Sequence, residues 1–208
     1  MRVTTQTKAR TREKILDAAR QLFACNGFDE ATTRNIADAA GIATGTLFNY
    51  FPTKEAVLAS LATEAASVAL DEFSDGDPET ESFEEDLFAF TAALLRKLKP
   101  LRKHIVALLE TALSPLALTA GEASQSFRVA HLETVGRLAK KHRRGELPPV
   151  ALQLYWTLHI GLLSFWSSDR SPRQEDTLAL LDHSLSMFVG WLEPQGDLPT
   201  TPETKGKV

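Results

Sequence analysis

Nine residues among the first 54 could carry out recognition chemistry: Thr32, Thr33, Arg34, Thr44, Gly45, Thr46, Asn49, Tyr50 and Lys54. An Asn amide can pair in two bonds with an adenine edge, and a Thr can hydrogen-bond or set its methyl against thymine. Hydroxyls, guanidinium and ammonium groups suit phosphate oxygens. Gly45 has no side chain, so another molecule can come close to its backbone. The chemistry these types offer is non-covalent contact with a nucleic acid, provided the chain places them on one surface.

The elements that must position them are short helices. Thr33 to Phe51 reads TRNIADAAGIATGTLFNYF, with one helical pattern either side of Gly41. Thr32 is suited to cap the first, and Gly41 to close it in the left-handed conformation. The second, Thr44 to Tyr50, holds poor helix formers, so flanking packing rather than propensity must hold it in place. Leu47 and Phe51 are four apart and point back toward Leu22, Phe23, Ile36 and Ala40. That leaves Thr44, Thr46, Asn49 and Tyr50 on the outer arc. Lys54 follows Thr53 at the start of the next helix, and Thr32–Arg34 start the earlier one. These two helix starts are expected to bind phosphates on either side of a groove. Ahead of them, Ile15, Leu16, Ala19, Leu22 and Phe23 form one helix face between a cap at Thr11 and a stop at Gly27.

The resemblance becomes specific over these residues. TREKILDAARQLFACNGFDEATTRNIADAAGIATGTLFNYFPTKEAVL resembles the DNA-binding domain of the tetracycline-repressor (TetR) family, and TGTLFNYFPTKE is its most diagnostic part. The resemblance implies an all-α fold of about nine helices: a helix-turn-helix DNA-binding domain at 9–69 (motif 32–51) and a ligand-binding and dimerisation domain at 70–193. It also implies that Thr33 and Arg34 touch backbone or flanking bases. Thr44, Gly45, Thr46 and Asn49 would then be the reading face, with Tyr50 and Lys54 on phosphates. Two positions depart from the family pattern. Ala43 stands where a Ser or Thr cap is common, a loss of about 0.5–2 kcal/mol. Phe48 replaces a common Tyr and has no hydroxyl for a phosphate.

The rest of the chain reads as helices near 53–73, 83–98, 101–113, 123–144, 150–167 and 175–192, with an acidic loop at 71–86 and a disordered tail at 194–208. The eighth helix is apolar nearly all round, which requires burial by its own domain and by a partner. Leu158, Leu162, Phe165 and Trp166, with Leu181, Leu185 and Phe188 of the ninth helix, are expected at a homodimer interface. Two-fold symmetry would then present two reading helices to a near-palindromic double-stranded DNA operator. The resemblance further implies an effector pocket, for which Phe88, Phe90, His104, Phe127, His131, Trp156 and His159 are candidates. The effector would be small and apolar or of mixed polarity. Release of a repressor from its operator by that effector is the function so implied. The alternative is an all-helical carrier of small molecules without a DNA function.

Composition bounds other classes. A single cysteine, Cys25, excludes an internal disulfide and any Cys-based zinc cluster. No His/Asp/Glu spacing indicates a metal site, and no cofactor motif is present. An enzyme would have to use Glu84/Glu85 or the histidines, but no nucleophile–base spacing or phosphate loop supports catalytic residues. No apolar run reaches the roughly 20 residues that span a bilayer, nor does the N-terminus resemble a signal peptide. A cytoplasmic protein without membrane association is expected. Residues 1–51 carry a formal charge of +2 and the remainder −6, so one end is the better match to a polyanion. The basic residues Arg2, Lys8, Arg10 and Arg12 read as a disordered leader or, alternatively, as an arm that adds phosphate attraction or reaches a minor groove.

Overall fold

The computed structural model describes residues 5–76, 81–109 and 122–193, with side chains undescribed at 74–76 and 122–126. The tail 194–208 and Arg2 lie outside the described residues. Every regular element among the described residues is helical. They are α1 (Thr5–Asn26), α2 (Thr33–Ala39), α3 (Thr44–Phe48), α4 (Lys54–Gly76), α5 (Phe83–Leu98), α6 (Ile105–Leu108), α7 (Glu122–Lys141), α8 (Pro149–Ser168) and α9 (Glu175–Leu192). Short 3-10 segments run over Lys99–His104 and Pro172–Gln174.

Several boundaries differ from the sequence reading. Helix α1 begins at Thr5, and the Thr11 hydroxyl donates to the Thr7 carbonyl instead of capping. Lys8, Arg10 and Arg12 therefore extend a helix, which corrects the expectation of a disordered leader. Local hydrogen bonding of this kind mimics a cap signal in a sequence. Likewise α4 continues through Asp71 to Gly76, where an acidic loop was expected. Packing of its apolar residues up to Leu70 carries the helix into that acidic stretch. The expected helix 101–113 is a 3-10 segment followed by the single turn α6, and residues 110–113 lie outside the described residues.

The small N-terminal core is built from Ile15, Leu16, Ala19 and Phe23 of α1, Phe28, Ile36 of α2, and Leu47 and Phe51 around α3, all buried. Full burial of each larger side chain stabilises by about 1.5–3 kcal/mol. Helix α4 packs on α1 at one end and on α5 and α7 at the other, so one rod spans the small core and the larger body. Arg12 and Arg20 reach Glu64 at 2.8 and 3.5 Å, adding surface ion pairs to that junction. In the body, α5 packs against α4, α7 and α9, and α8 lies along α9. The fully buried Asp86 of α5 accepts from His142 Nε2 at 2.7 Å and pairs with Lys141 at 3.3 Å, fastening the start of α5 to the end of α7. Glu85 has a structural duty too. Its carboxylate accepts from the Glu81 N–H while its own N–H donates to the Ser82 hydroxyl, closing the first turn of α5.

Candidate nucleic-acid interface

Helix α2 is closed at both ends by its own sequence. The Thr32 hydroxyl accepts from the Asn35 N–H at 3.1 Å, and the Asn35 amide oxygen accepts from the Thr32 N–H at 3.2 Å. This reciprocal pair is a capping box. At the far end Gly41 takes φ +68°, and the Ile42 N–H donates to the Ala37 carbonyl at 3.0 Å. That six-to-one bond makes a Schellman stop, for which the left-handed glycine is needed. The chain turns sharply here and enters α3 within three residues.

Helix α3 is one turn and a half long and has no side-chain cap, as expected from Ala43. The Ala43 carbonyl accepts from the Thr46 and Leu47 N–H groups, at 2.8 and 3.2 Å. What holds the helix is Leu47, with no exposed surface, and Phe51, each buried in the small core. On the other side Gly45 and Asn49 are exposed, and Thr44, Thr46 and Tyr50 are half-buried. Asn49 ends the helix in the αR conformation, so its amide sits at the rim of the turn. Phe48 is 49% exposed, an apolar side chain on this otherwise polar face. Thr32 and Arg34 are exposed at the start of α2 and Thr33 is half-buried. The structure thus brings Thr32, Thr33, Arg34, Thr44, Gly45, Thr46 and Asn49 onto the outside of one motif, with Tyr50 partly tucked against it.

Lys54 is placed otherwise than expected. Its ammonium donates to the carbonyls of Phe28, Asp29 and Ala31 at 2.9, 3.1 and 3.2 Å and stands 4.4 Å from the centre of the Phe28 ring. All three protons of an ammonium are thereby engaged. Lys54 closes the α1–α2 turn onto α4 rather than offering its charge to a phosphate. The start of α4 keeps the cap bond from the Ala56 N–H to the Thr53 hydroxyl at 3.2 Å. Nothing in the local sequence signals this, because the three carbonyls lie 23–26 residues away.

The body contains a second cluster of singled-out residues. Phe90, Phe127, His131, Trp156 and His159 come together, with Tyr155. The His131 and His159 ring centres are 4.4 Å apart. Both imidazoles are fully buried and held in the neutral form. Burial lowers the His159 pKa to about 4, and burial with the His159 charge lowers that of His131 well below its ordinary value. Neither has a hydrogen-bond partner at either nitrogen among the described residues, nor has Trp156 Nε1. Tyr155, by contrast, has its hydroxyl 3.3 Å from that of Thr91, and burial pushes its pKa up to about 12.

Two candidates do not join the cluster. Phe88 lies two residues from Phe90 and is half-buried, since positions i and i+2 of a helix do not share a face. His104 packs 6.2 and 5.7 Å from Phe23 and Phe28, against the N-terminal core.

The expected interface residues require a larger correction. Leu162, Trp166, Leu181, Leu185 and Phe188 are buried within the single chain. Trp166 Nε1 donates to the Gln174 amide oxygen at 2.9 Å, and Arg102 donates to the carbonyls of Trp166 and Asp169. Leu158 is half-buried. Of the expected set only Phe165 is open, at 41%. The strip of α8 facing outward is Gln153, Thr157, Gly161, Ser164 and Ser168, with Phe165 beside it. On α9 the matching strip carries Leu180, His183, Met187 and Trp191. Counting apolar residues round a helix cannot tell intrachain from interchain cover.

A capped helix, a glycine turn and a second helix gripped from behind define a helix-turn-helix DNA-binding protein. Residues 15–61 match the model of "Bacterial regulatory proteins, tetR family". The HTH-type transcriptional repressor Rv1474c of Mycobacterium tuberculosis is 29% identical over 184 residues, covering 85% of this chain and 94% of that one. Among solved structures, a TetR transcriptional regulator from Rhodococcus sp. RHA1 shares the fold at a TM-score of 0.70, with 19% identity over 88% of this chain and 97% of that one. Thermus thermophilus FadR, a TetR-family repressor solved with lauroyl-CoA, does so at 0.64, with 23% identity over 94% of this chain and 100% of that one. Residues 15–61 thus carry the DNA-binding domain of the tetR family of bacterial regulatory proteins, and the chain is a DNA-binding transcriptional regulator.

Proposed function

We propose that the protein is a cytoplasmic homodimeric repressor. It reads a near-palindromic operator with α3 and leaves it when a small molecule enters the body; it has no catalytic activity. The single observation that carries the reading is the exposure of Gly45 and Asn49 over a fully buried Leu47. Thr44, Gly45, Thr46 and Asn49 read base edges. Thr32, Thr33, Arg34 and Tyr50 set the register on phosphates, and the DNA-binding unit spans about 9–69 with the regulatory unit at 70–193. Lys54 holds the unit together.

Two protomers join through the outward strips of α8 and α9. Thr157, Gly161 and Ser164 are small enough for close helix approach, and Leu180, Met187 (77% exposed) and Trp191 (44%) supply apolar area. Substituting Met187→Glu should give monomers by sedimentation velocity, and an intact dimer would place the interface elsewhere. Fluorescence anisotropy against the protein's own upstream DNA tests the main reading. Selective, salt-sensitive binding supports it, and no selectivity on any genomic fragment favours a small-molecule carrier.

A second effector class is an acyl-CoA, which the Thermus FadR binds. The observation favouring it is an open groove of about 990 Å³ between α4 and α7. Its walls include Leu70, Leu132, Leu147 and Leu152, with Arg137 and Lys140 beside them. Lauroyl-CoA that leaves operator affinity unchanged would exclude it.

A further inference from the structure

Five buried nitrogens in one place require an explanation, because buried polar groups in folded proteins are nearly always hydrogen-bonded. They are Nδ1 and Nε2 of His131, both nitrogens of His159, and Nε1 of Trp156. A desolvated donor or acceptor left without a partner destabilises the fold. Leucine in place of either histidine would avoid that cost.

The cluster is unlike its surroundings. Asp86 has partners, the Tyr155 hydroxyl meets Thr91, and the Trp166 indole N–H meets Gln174. Only where α7 faces α8 do the polar atoms stand without one among the described residues. A metal ion does not fit the pair. Nitrogen–metal bonds of about 2.0–2.1 Å at a tetrahedral angle would hold the ring centres about 5 Å apart, against 4.4 Å here. Nor do the described residues contain a group of three or more His, Cys, Asp or Glu side chains able to hold a metal.

We propose that His131, His159 and Trp156 form the polar end of the effector site, and that its ligand is an uncharged aromatic molecule bearing a hydroxyl, a phenol. This inference rests on the effector-responsive reading given above. Two neutral imidazoles offer one donor and one acceptor each, and the indole adds a donor. A phenolic hydroxyl donates once and accepts twice, so it can satisfy one bare nitrogen and two N–H groups. Phe90, Phe127, Tyr155 and Trp156 supply ring faces and edges for the aromatic body. Among the described residues no carboxylate or cation contributes to holding the pair neutral: the causes are burial and, for His131, the neighbouring imidazole. The Arg128 guanidinium lies 5.5 Å from the Trp156 ring centre and donates to Gln153 on the exposed side. An anionic or cationic ligand would bury an uncompensated charge. The cavity beside His159, lined by Thr91, Tyr155, Leu162 and Leu185, is only about 10 Å³. Phenol must therefore part α8 from its neighbours on entry. Its affinity then differs between the closed and opened bodies, and such a difference is what an effector requires.

The test uses the full chain with phenol, benzoate and benzylammonium, which are similar in size and differ in charge. Melting temperature and isothermal titration are measured for the native chain, His131→Leu and His159→Leu, with His131→Asn and His159→Asn as a second, milder test of the phenol response. Phenol should raise the melting temperature saturably, with benzoate and benzylammonium at least about tenfold weaker, a gap of about 1.4 kcal/mol. The leucine variants should melt no lower than the native chain and lose the phenol response. The proposal is overturned if phenol gives no saturable shift at millimolar concentration, or if either charged analogue binds as tightly. Phenol binding that survives in the variants overturns it too, as does a lower melting temperature in the leucine forms, which marks the pair as structural. Operator binding is followed in parallel by anisotropy. Selective DNA binding without a phenol response sinks this inference alone, whereas a phenol response without DNA selectivity sinks the repressor reading.

Discussion

Helix α3 and the His131–His159 cluster are both sets of polar groups held by apolar neighbours, on opposite sides of the solvent boundary. On α3 the polar side chains face water, which satisfies them until a base edge or phosphate takes its place. In the body the nitrogens face inward among aromatic rings, where a missing partner is costly. The two regions also differ in how they are held. One turn and a half of weak helix is fixed by Leu47, Phe51 and the carbonyl-bound Lys54. The cluster is fixed by rings from three long helices. A surface site can be built on a short element if the anchors are deep. A buried polar site needs rigid walls, since its own groups contribute no stability.

The largest effect expected from breaking this contrast comes from the anchor. Leu47→Ala should destabilise the chain by about 2–5 kcal/mol in urea unfolding and abolish operator binding. Retained binding would mean α3 does not depend on that grip. Lys54→Met should cost about 1.5–3 kcal/mol, since the hydrogen bonds lost are to a charged group. Its DNA affinity should fall only as far as its stability does, and an even loss of affinity at unchanged stability would restore the phosphate role. Asn49→Ala should leave stability within about 0.5 kcal/mol, as for surface changes generally. It should relax selectivity at one base position by about 1–3 kcal/mol, read from competition with single-base operator variants.

The smallest effect at neutral pH, and the one that sharpens the buried side, concerns protons. His131 and His159 are neutral in the fold, with pKa values below the ordinary 6.5. The unfolded chain binds protons at these sites below about pH 6.5. Keeping them neutral therefore costs nothing above that pH, and the fold loses stability as pH falls toward 4. Tyr155 is protonated across this window. Melting curves between pH 7.5 and about 4.5 should show a steeper loss for the native chain than for the double variant His131→Leu/His159→Leu. Parallel slopes would mean that the pair is charged or exposed in the fold.

Much of the DNA-binding part was legible in the sequence because its signals are local. Thr32 stands just before the first helical residue, Gly41 follows the last periodic residue, and Leu47 and Phe51 are four apart. Helical geometry alone turns those spacings into caps, a stop and a buried face. The absent cap at Ala43 was legible for the same reason. In the body, helix positions could be read from Pro and Gly breaks, and α9 falls where the periodicity placed it. The cluster was half legible: imidazoles on apolar faces mark an oddity, but not which of them meet. His104 and Phe88 looked as eligible as His131 and Phe90.

By itself, then, the sequence determined that the chain is helical, roughly where most of the helices lie, which face of α3 stays polar, and that no apolar run is long enough to cross a membrane, as no helix among the described residues is. Tertiary structure alone decided what lies against each face. It put Lys54 on three distant carbonyls, Trp166 inside its own chain, and two imidazoles side by side without partners. Caps and faces depend on residues three or four apart along one rod. Partners depend on how separate rods cross, and a repeating pattern of apolar residues does not specify which rod lies opposite.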